Sequence, residues 1–284
     1  MSFFHGSMLL PYFDIDSSTI YCFNALWRGD PMTKKNKPIN FLEQPVLKGG
    51  VSEQCFEIIH NDRKIPGVLW LPENINTKTP LVLLGHGGNG HKRNSRMLHL
   101  GTRFARDRSF AAVAIDGPIH GDRGALSDTH DPNYQAMWQN NNTVPNMVFD
   151  WKITLDALLN LGHFDEKRVG YWGMSMGTMF GIPFVSSEPR IRAAVLGKAG
   201  LTGSSVDRSN IAPHFRNAAP KINCPIYFHV QWDDERFDRY SSVFLFDLIG
   251  SQEKELHTFP GLHIDTSPEA LAATIAFLGR HLNG

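Results

Sequence analysis

Cysteine is scarce. The 284 residues hold three, Cys22, Cys55 and Cys224, far apart and odd in number. No two of them have the short spacing of a zinc site or a redox pair. They read as buried, reduced thiols of an intracellular protein, placed here in the cytoplasm. An excess of one charge is also missing, since 28 Lys and Arg balance 28 Asp and Glu. Nucleic-acid binding needs a clustered basic excess, and a polybasic membrane anchor needs another, so both partners are excluded. No apolar run nears the ~18 residues of a membrane span. Internal repeats and low-complexity tracts are absent too. Thirteen histidines invite a metal reading, but H-E-x-x-H does not occur. The pairs His86 with His91 and His120 with Asp122 lack a third ligand at usable spacing, so no metal is expected. The glycine cluster at Gly85–Gly90 has no lysine where a phosphate loop needs one, because Lys92 falls at the wrong place. No cofactor is expected.

What remains is a globular composition, 42 % apolar and 20 % charged, able to bury a large core without disulfides. Residues 1–31 show no clean period and no basic run before an apolar core, so they do not read as a signal peptide. Met32 then opens a polar stretch that resembles a natural start. The first 31 residues are therefore either an upstream extension or an arm. An arm would dock Phe3, Phe4, Tyr12, Phe13 and Trp27 on the body or on a second subunit, and a homodimer is the partner it would serve.

From Glu53 the pattern becomes regular. Glu53–His60 and Lys64–Leu71 read as strands joined by a polar turn. Pro80–Leu84 and Ala111–Ile115 are unalternating apolar runs that suit strands buried on both faces. Further strands are expected at Arg168–Trp172, Ile191–Leu196, Pro225–Val230 and Leu256–Phe259. Helices are expected over Asn94–Arg106, over Asn146–Leu161 with Val148, Trp151, Leu155, Leu158 and Leu159 on one stripe, and at the end, where Ser267 caps Pro268. The connection Gly117–Pro145 reads as polar loop. Such alternation means an α/β fold with a mostly parallel central sheet and helices on both faces. Only Leu201–Asn223 intervenes before the Pro225 strand, too short for a large lid. The expected division is 1–52 as extension or arm and 53–284 as one domain.

At the end of the Arg168 strand stands Gly173-Met174-Ser175-Met176-Gly177, a G-x-S-x-G pattern. Alone it is weak; between a buried strand and a helix it gains meaning, because glycines permit a sharp turn that exposes a serine. A serine hydroxyl needs a base, and the base needs an orienting acid. His263 follows the last short strand, and Asp234 follows the Pro225 strand. The order Ser, Asp, His, each at a carboxyl strand end, puts all three on one edge of a parallel sheet.

On these residues the chain resembles α/β-hydrolase-fold serine hydrolases, nearest the dienelactone-hydrolase-like esterases. Further carriers of the likeness are His86-Gly87-Gly88 and the run from Asp116 to Arg123. The resemblance covers residues 53–283. It implies Ser175 as nucleophile, His263 as general base and acid, Asp234 as orienter, and the amides of Gly88 and Met176 as oxyanion hole, with Gly87 as the near alternative. Asp233 is the alternative acid, since Gln231 stands where the family usually has glycine. Glu235 reads as a solvated neighbour, His229 as a satisfied core residue, and His257 as a sheet histidine. His120, Asp122 and Arg123 read as braces. His86, Gly87, Trp138 and Trp232 are assigned to substrate binding. The substrate expected is a small or medium ester, neutral because no cationic cluster is evident.

Overall fold

Apolar runs flanked by polar turns can hide their backbone donors and acceptors only by pairing with one another. In the computed structural model, which describes residues 39–61, 63–76 and 78–283, they do so in one sheet. Its strands are β1 (Asn40–Phe41), β2 (Val46–Lys48), β3 (Val51–His60), β4 (Arg63–Pro72), β5 (Thr79–Gly85), β6 (Ala111–Ile115), β7 (Phe164–Gly173), β8 (Ile191–Gly197), β9 (Ile226–Gln231) and β10 (Lys254–Phe259). The order is β1-β3-β4-β6-β5-β7-β8-β9-β10, with β2 also on β3. Pairing is antiparallel from β1 to β6 and parallel from β6 onward. Among the described residues the sheet thus begins at Asn40, ahead of the first strand expected at Glu53. Strands of two and three residues, the second wholly exposed, are too short to leave an alternating signature. The questions about residues 1–31 lie outside the described residues.

Among the described residues the α-helices are α1 (Ser95–Arg108), α2 (Pro132–Gln139), α3 (Thr143–Leu159), α4 (Met176–Ser186), α5 (Ser204–Asp207), α6 (Ala212–Ala218), α7 (Arg239–Leu248) and α8 (Pro268–Leu282). On one face Met97, Leu100 and Phe104 of α1 and Ile275, Leu278 and Leu282 of α8 join Val82, Leu84, Trp172 and Val195 in a continuous core. Side chains alternate along a strand, so Tyr171 points the other way from Trp172. There it meets Trp151 of α3 edge-on, ring centroids 5.8 Å apart, and Phe184 of α4 at 5.6 Å. Burying one such aromatic fully is worth roughly 1.5–3 kcal/mol. Both faces are therefore covered, as the alternating pattern requires.

Several boundaries moved for identifiable reasons. The α3 helix starts at Thr143, so Val144 and Met147 join its buried face and Val148 is only half-buried. The stretch read as loop contains α2, whose Asp131-Pro132 start carries a cap: the Asp131 side chain accepts from the Asn133 N–H. Asn94 and Ser267 cap α1 and α8 by accepting from Met97 and Ala270, each worth about 1 kcal/mol. Between β8 and β9 lie only the short α5 and α6 and a 3-10 turn at Ala219–Lys221.

One buried charge ties the layers together. The Asp150 carboxylate of α3, fully buried, accepts from Arg63 of β4 at 2.6 Å and from Arg123 of the loop after β6 at 2.7 Å. Removing the carboxylate leaves two guanidiniums without the buried partner they share. Asp150→Ala is expected to cost about 3–5 kcal/mol in urea denaturation. A loss under about 1 kcal/mol, the scale of an exposed pair, would contradict that role.

Candidate active site

The register sets where the chemistry can be. Gly85 pairs with Gly173, Gly197 with His229, and Gln231 with Phe259. The carboxyl ends of β5, β7, β8, β9 and β10 therefore share one edge, and the loops leaving them carry the candidate residues.

Glycine makes the first of these turns sterically feasible. A Cβ on Gly177 would sit 2.3 Å from the Gly85 carbonyl oxygen, and one on Gly173 would sit 2.6 Å from the Gly177 oxygen. The start of α4 can lie directly against β5 and β7 only because neither has one. Between them Ser175 adopts φ 56° and ψ −120°, a left-handed backbone that L-residues avoid. Its own N–H donates to the Gly197 oxygen at 3.0 Å, and the Thr178 hydroxyl donates to the same oxygen at 2.6 Å. The strain is thus held by neighbours on β8.

Ser175 faces His263, with Oγ 2.8 Å from Nε2, and Nδ1 of the same ring lies 2.8 Å from Asp234 Oδ2. A carboxylate can only accept, so Nδ1 carries the proton and Nε2 is left to accept from the serine hydroxyl. The other Asp234 oxygen accepts the N–H groups of Arg236 and Phe237 at 2.8 and 3.1 Å, which fixes the carboxylate plane. Asp233 is turned away: it accepts from the Gly261 N–H and lies 3.7 Å from Arg239. Glu235 is more than a solvated neighbour, because its carboxylate accepts the His263 N–H at 2.8 Å.

A buried lysine that the sequence reading passed over supports the same loop. Lys198, at the end of β8, donates from Nζ to the carbonyl oxygen of His263 at 2.8 Å, to Asp265 O, and to Thr266 Oγ1 at 2.6 Å. Burial, with Arg96 adding repulsion, pushes its ammonium down to about 7. A lone lysine in the sequence carries no mark of such a role; only the fold brings it beneath the histidine.

The loop after β5 is organised by two histidines. His86 Nδ1 donates to the Gly87 oxygen at 2.9 Å, while its Nε2 accepts from the Gly117 N–H at 2.8 Å. In a trans peptide the C=O and N–H point in opposite directions, so this bond turns the Gly88 N–H away from His86. The His120 ring bridges the carbonyl oxygens of Pro118 and Gly88 at 2.7 and 2.8 Å. A Cβ on Gly88 would lie 2.7 Å from Tyr134 Oη, so this glycine packs against a residue that lines the cavity described next. Beneath the loop, Lys92 joins Asp116 and Asp122, both at 2.7 Å.

A cavity of about 140 Å³ opens at Ser175, with Tyr134, Trp138, Met179, Ser205, Arg208 and Arg236 in its wall. Trp138 is where substrate contact was expected, stacked on Phe180 at 4.8 Å. Trp232, His86 and Gly87 do not line it. Trp232 is 45 % exposed with the Arg239 guanidinium 4.0 Å over its ring, and His86 is occupied in bracing the loop. His257 stacks on Tyr227 at 4.0 Å and bonds Glu255. His229, fully buried, bonds Gln231 Oε1 at 2.9 Å, and Gln231 in turn donates to the Pro260 oxygen. That last bond gives Gln231, the departure from the usual glycine, a job in holding the histidine loop. Among the described residues no group of three or more His, Cys, Asp or Glu is placed to hold a metal ion, and no helix is long and apolar enough to cross a membrane.

Burial holds the imidazoles of His86 and His229 down to about 4, against 6.5 in the open chain. Between those pH values the unfolded chain takes up protons that the fold refuses. Stability present above pH 6.5 is therefore lost as pH falls through this window, by up to about 1.4 kcal/mol per pH unit for each histidine. Urea denaturation at stepped pH should show that decline, and His229→Gln should remove its share of the slope. An identical slope in the variant would contradict the assignment.

No family model matches the chain. None of the curated proteins matches it either. Solved structures do. A cold-adapted esterase from an Arctic intertidal metagenomic library, in its PEG-bound complex, shares 31 % identity, with 86 % of this chain and 99 % of that one covered and a TM-score of 0.75. The acetyl xylan esterase from Paenibacillus sp. R4 covers 97 % of each chain at 16 % identity and a TM-score of 0.65. Acetyl xylan esterase 1 from Thermoanaerobacterium sp. JW/SL YS485 covers 93 % of this chain and 94 % of that one, at 19 % identity and a TM-score of 0.63. The two acetyl xylan esterases share the fold; the first structure, with its higher identity and near-complete overlap, carries the relationship. By this measure and by its sheet order, the chain belongs to the α/β-hydrolase-fold esterases.

Proposed function

We propose that this protein is a serine carboxylesterase that hydrolyses small or medium carboxylic esters through an acyl-enzyme on Ser175. The carrying observation is the unbroken line Ser175–His263–Asp234, with both hydrogen bonds at 2.8 Å, on a turn that exposes the serine in the wall of a cavity. Ser175 Oγ attacks the ester carbon while its proton passes to His263 Nε2. The carbonyl π electrons move onto oxygen as the tetrahedral intermediate forms. On collapse the C–O bond to the alcohol breaks, and His263 returns the proton to the leaving oxygen. Water then repeats the sequence on the acyl-enzyme, releasing the acid and free Ser175.

The negative oxygen needs donors already in place. The Met176 N–H belongs to the first turn of α4, where helix geometry leaves it without an intrahelical acceptor. The Gly88 N–H is turned away from His86, on a glycine packed against Thr129 and Tyr134, which line the cavity. We assign these two amides to the oxyanion, and the positive end of α4 adds to them. The cavity, about 140 Å³, is small beside the roughly 300–1,000 Å³ of drug-sized sites, which supports short esters over long lipids. Cys55 and Cys224 are unpaired, and burial raises their thiols to about 11 and about 12. Inert free thiols are consistent with a reducing, cytoplasmic setting.

On an aryl acetate, Ser175→Ala is expected to lower kcat about 10⁶-fold and Asp234→Asn about 10⁴-fold. Asp233→Asn, whose carboxylate faces away from the histidine, should stay within about threefold of the parent, as surface substitutions do. Near-parental turnover by Ser175→Ala would end the proposal. Crippling by Asp233→Asn with a mild Asp234→Asn would reverse the acid assignment alone.

A further inference from the structure

Lys198 leaves β8 in the left-handed region, at φ 50°, where a residue other than glycine sits only at a cost. Glycine or asparagine would turn the chain there with less strain; what the lysine adds is its side chain. The turn is pinned by the lysine N–H, which donates to the His229 oxygen at 2.9 Å. Strain of this kind persists where the surroundings over-determine it. From this turn the buried side chain reaches the His263 loop. Its three ammonium protons meet three oxygens there, the carbonyls of His263 and Asp265 and the Thr266 hydroxyl. All three acceptors are neutral, and among the described residues no carboxylate lies within ion-pair distance of Nζ.

A neutral amine has two protons and a lone pair. Faced with the same three oxygens, it leaves one of them unmet and turns its lone pair on it. The group this disturbs is the base. His263 is anchored at its N–H by Glu235 and at its carbonyl by Lys198, and its ring must keep Nε2 2.8 Å from Ser175 Oγ. We infer that Lys198 is a positioning residue for the general base and that turnover needs its ammonium form: losing that proton loosens the His263 loop and slows catalysis at alkaline pH. This rests on the esterase reading above and adds a control on the same site. The groups that face the lysine are Arg96 of α1, His229 of β9, Asp234 and Glu235 of the loop after β9, and Asp265 of the histidine loop. Burial keeps His229 uncharged down to about 4. Carboxylates ordinarily ionise at about pH 4, and a guanidinium keeps its proton throughout. Among these groups the lysine alone changes charge as the solution turns alkaline, since burial and Arg96 hold its ammonium down to about 7.

Rates on para-nitrophenyl butyrate, with the uncatalysed hydrolysis subtracted, test this on the full chain from about pH 6 to 10, up to the ordinary range of an amine. The parent's kcat should fall along an alkaline limb. Lys198→Arg carries a charge that cannot be lost in this range, so its profile, at whatever level, should lack the limb. Lys198→Met keeps most of the volume without the donors. Its kcat should drop about 10²-fold, the scale of a group displaced by about 1 Å, with KM within about threefold of the parent and no limb. Thr266→Val leaves the lysine in place and removes one acceptor of the charged form, so its limb should move to lower pH by about one unit. A lysine that only stabilised the fold would lower the urea midpoint of Lys198→Met while leaving kcat per folded molecule and the profile unchanged; that result overturns the inference. So does a parent profile without an alkaline limb, or a limb that persists in Lys198→Arg. A limb that stays in place in Thr266→Val overturns it as well, and that reading does not depend on either lysine variant folding. If the parent hydrolyses no ester at any pH, the esterase reading itself fails and this inference falls with it.

Discussion

Everything at the candidate site depends on one steric contact: the backbone of Gly177, at the head of α4, pressed against the carbonyl of Gly85 at the end of β5. Any side chain at Gly177 would push the helix off the sheet. The close approach forces the chain from β7 into α4 within two residues, and Ser175 takes the left-handed conformation that results. Its amide is tied to Gly197 on the neighbouring strand, so the strain is carried by the sheet and not by the loop. Once the serine is fixed there, the positions open to a base and an acid are few. They come from the carboxyl strand ends beyond β8 along the edge, which are those of β9 and β10.

The rest of the machinery is scaffolding for loops. The His263 loop has no regular structure, yet its backbone is held at several points. Glu235 takes the histidine N–H, Gln231 bonds Pro260, and Lys198 reaches the carbonyls of His263 and Asp265. The loop after β5 is held in the same manner by His86 and His120. Buried polar groups of this sort are costly unless each finds a partner. Their presence beside Ser175 and His263 is the cost of holding these side chains on loops with helix-like precision.

The fold and the meeting of Ser175, His263 and Asp234 on one sheet edge were legible for the same reason: both are written in local patterns. Buried parallel strands leave unbroken apolar runs, capped helices leave Ser267-Pro268, and the elbow leaves its two glycines. What could not be read depended on contacts between distant segments. β1 and β2 are strands only because β3 offers an edge. Lys198 and Glu235 acquire their roles from a histidine some distance along the chain. Trp232, placed in the pocket from its nearness to Asp234 in sequence, instead lies out in solvent under Arg239. The two arginines of the cavity are hidden by a net charge that sums to zero. Nearness along the chain is a poor guide to side-chain direction, and a total is a poor guide to a local field.

The central claim is that Ser175 is the nucleophile because of where the fold holds it. Treating the protein with a fluorophosphonate and mapping the adduct by peptide mass spectrometry tests this most directly. The serine facing His263 should take the label, and His263→Ala should lose it, since without the base the hydroxyl is an ordinary alcohol. Absence of an adduct would contradict the account. So would an adduct on Ser205, a second serine in the wall of the same cavity.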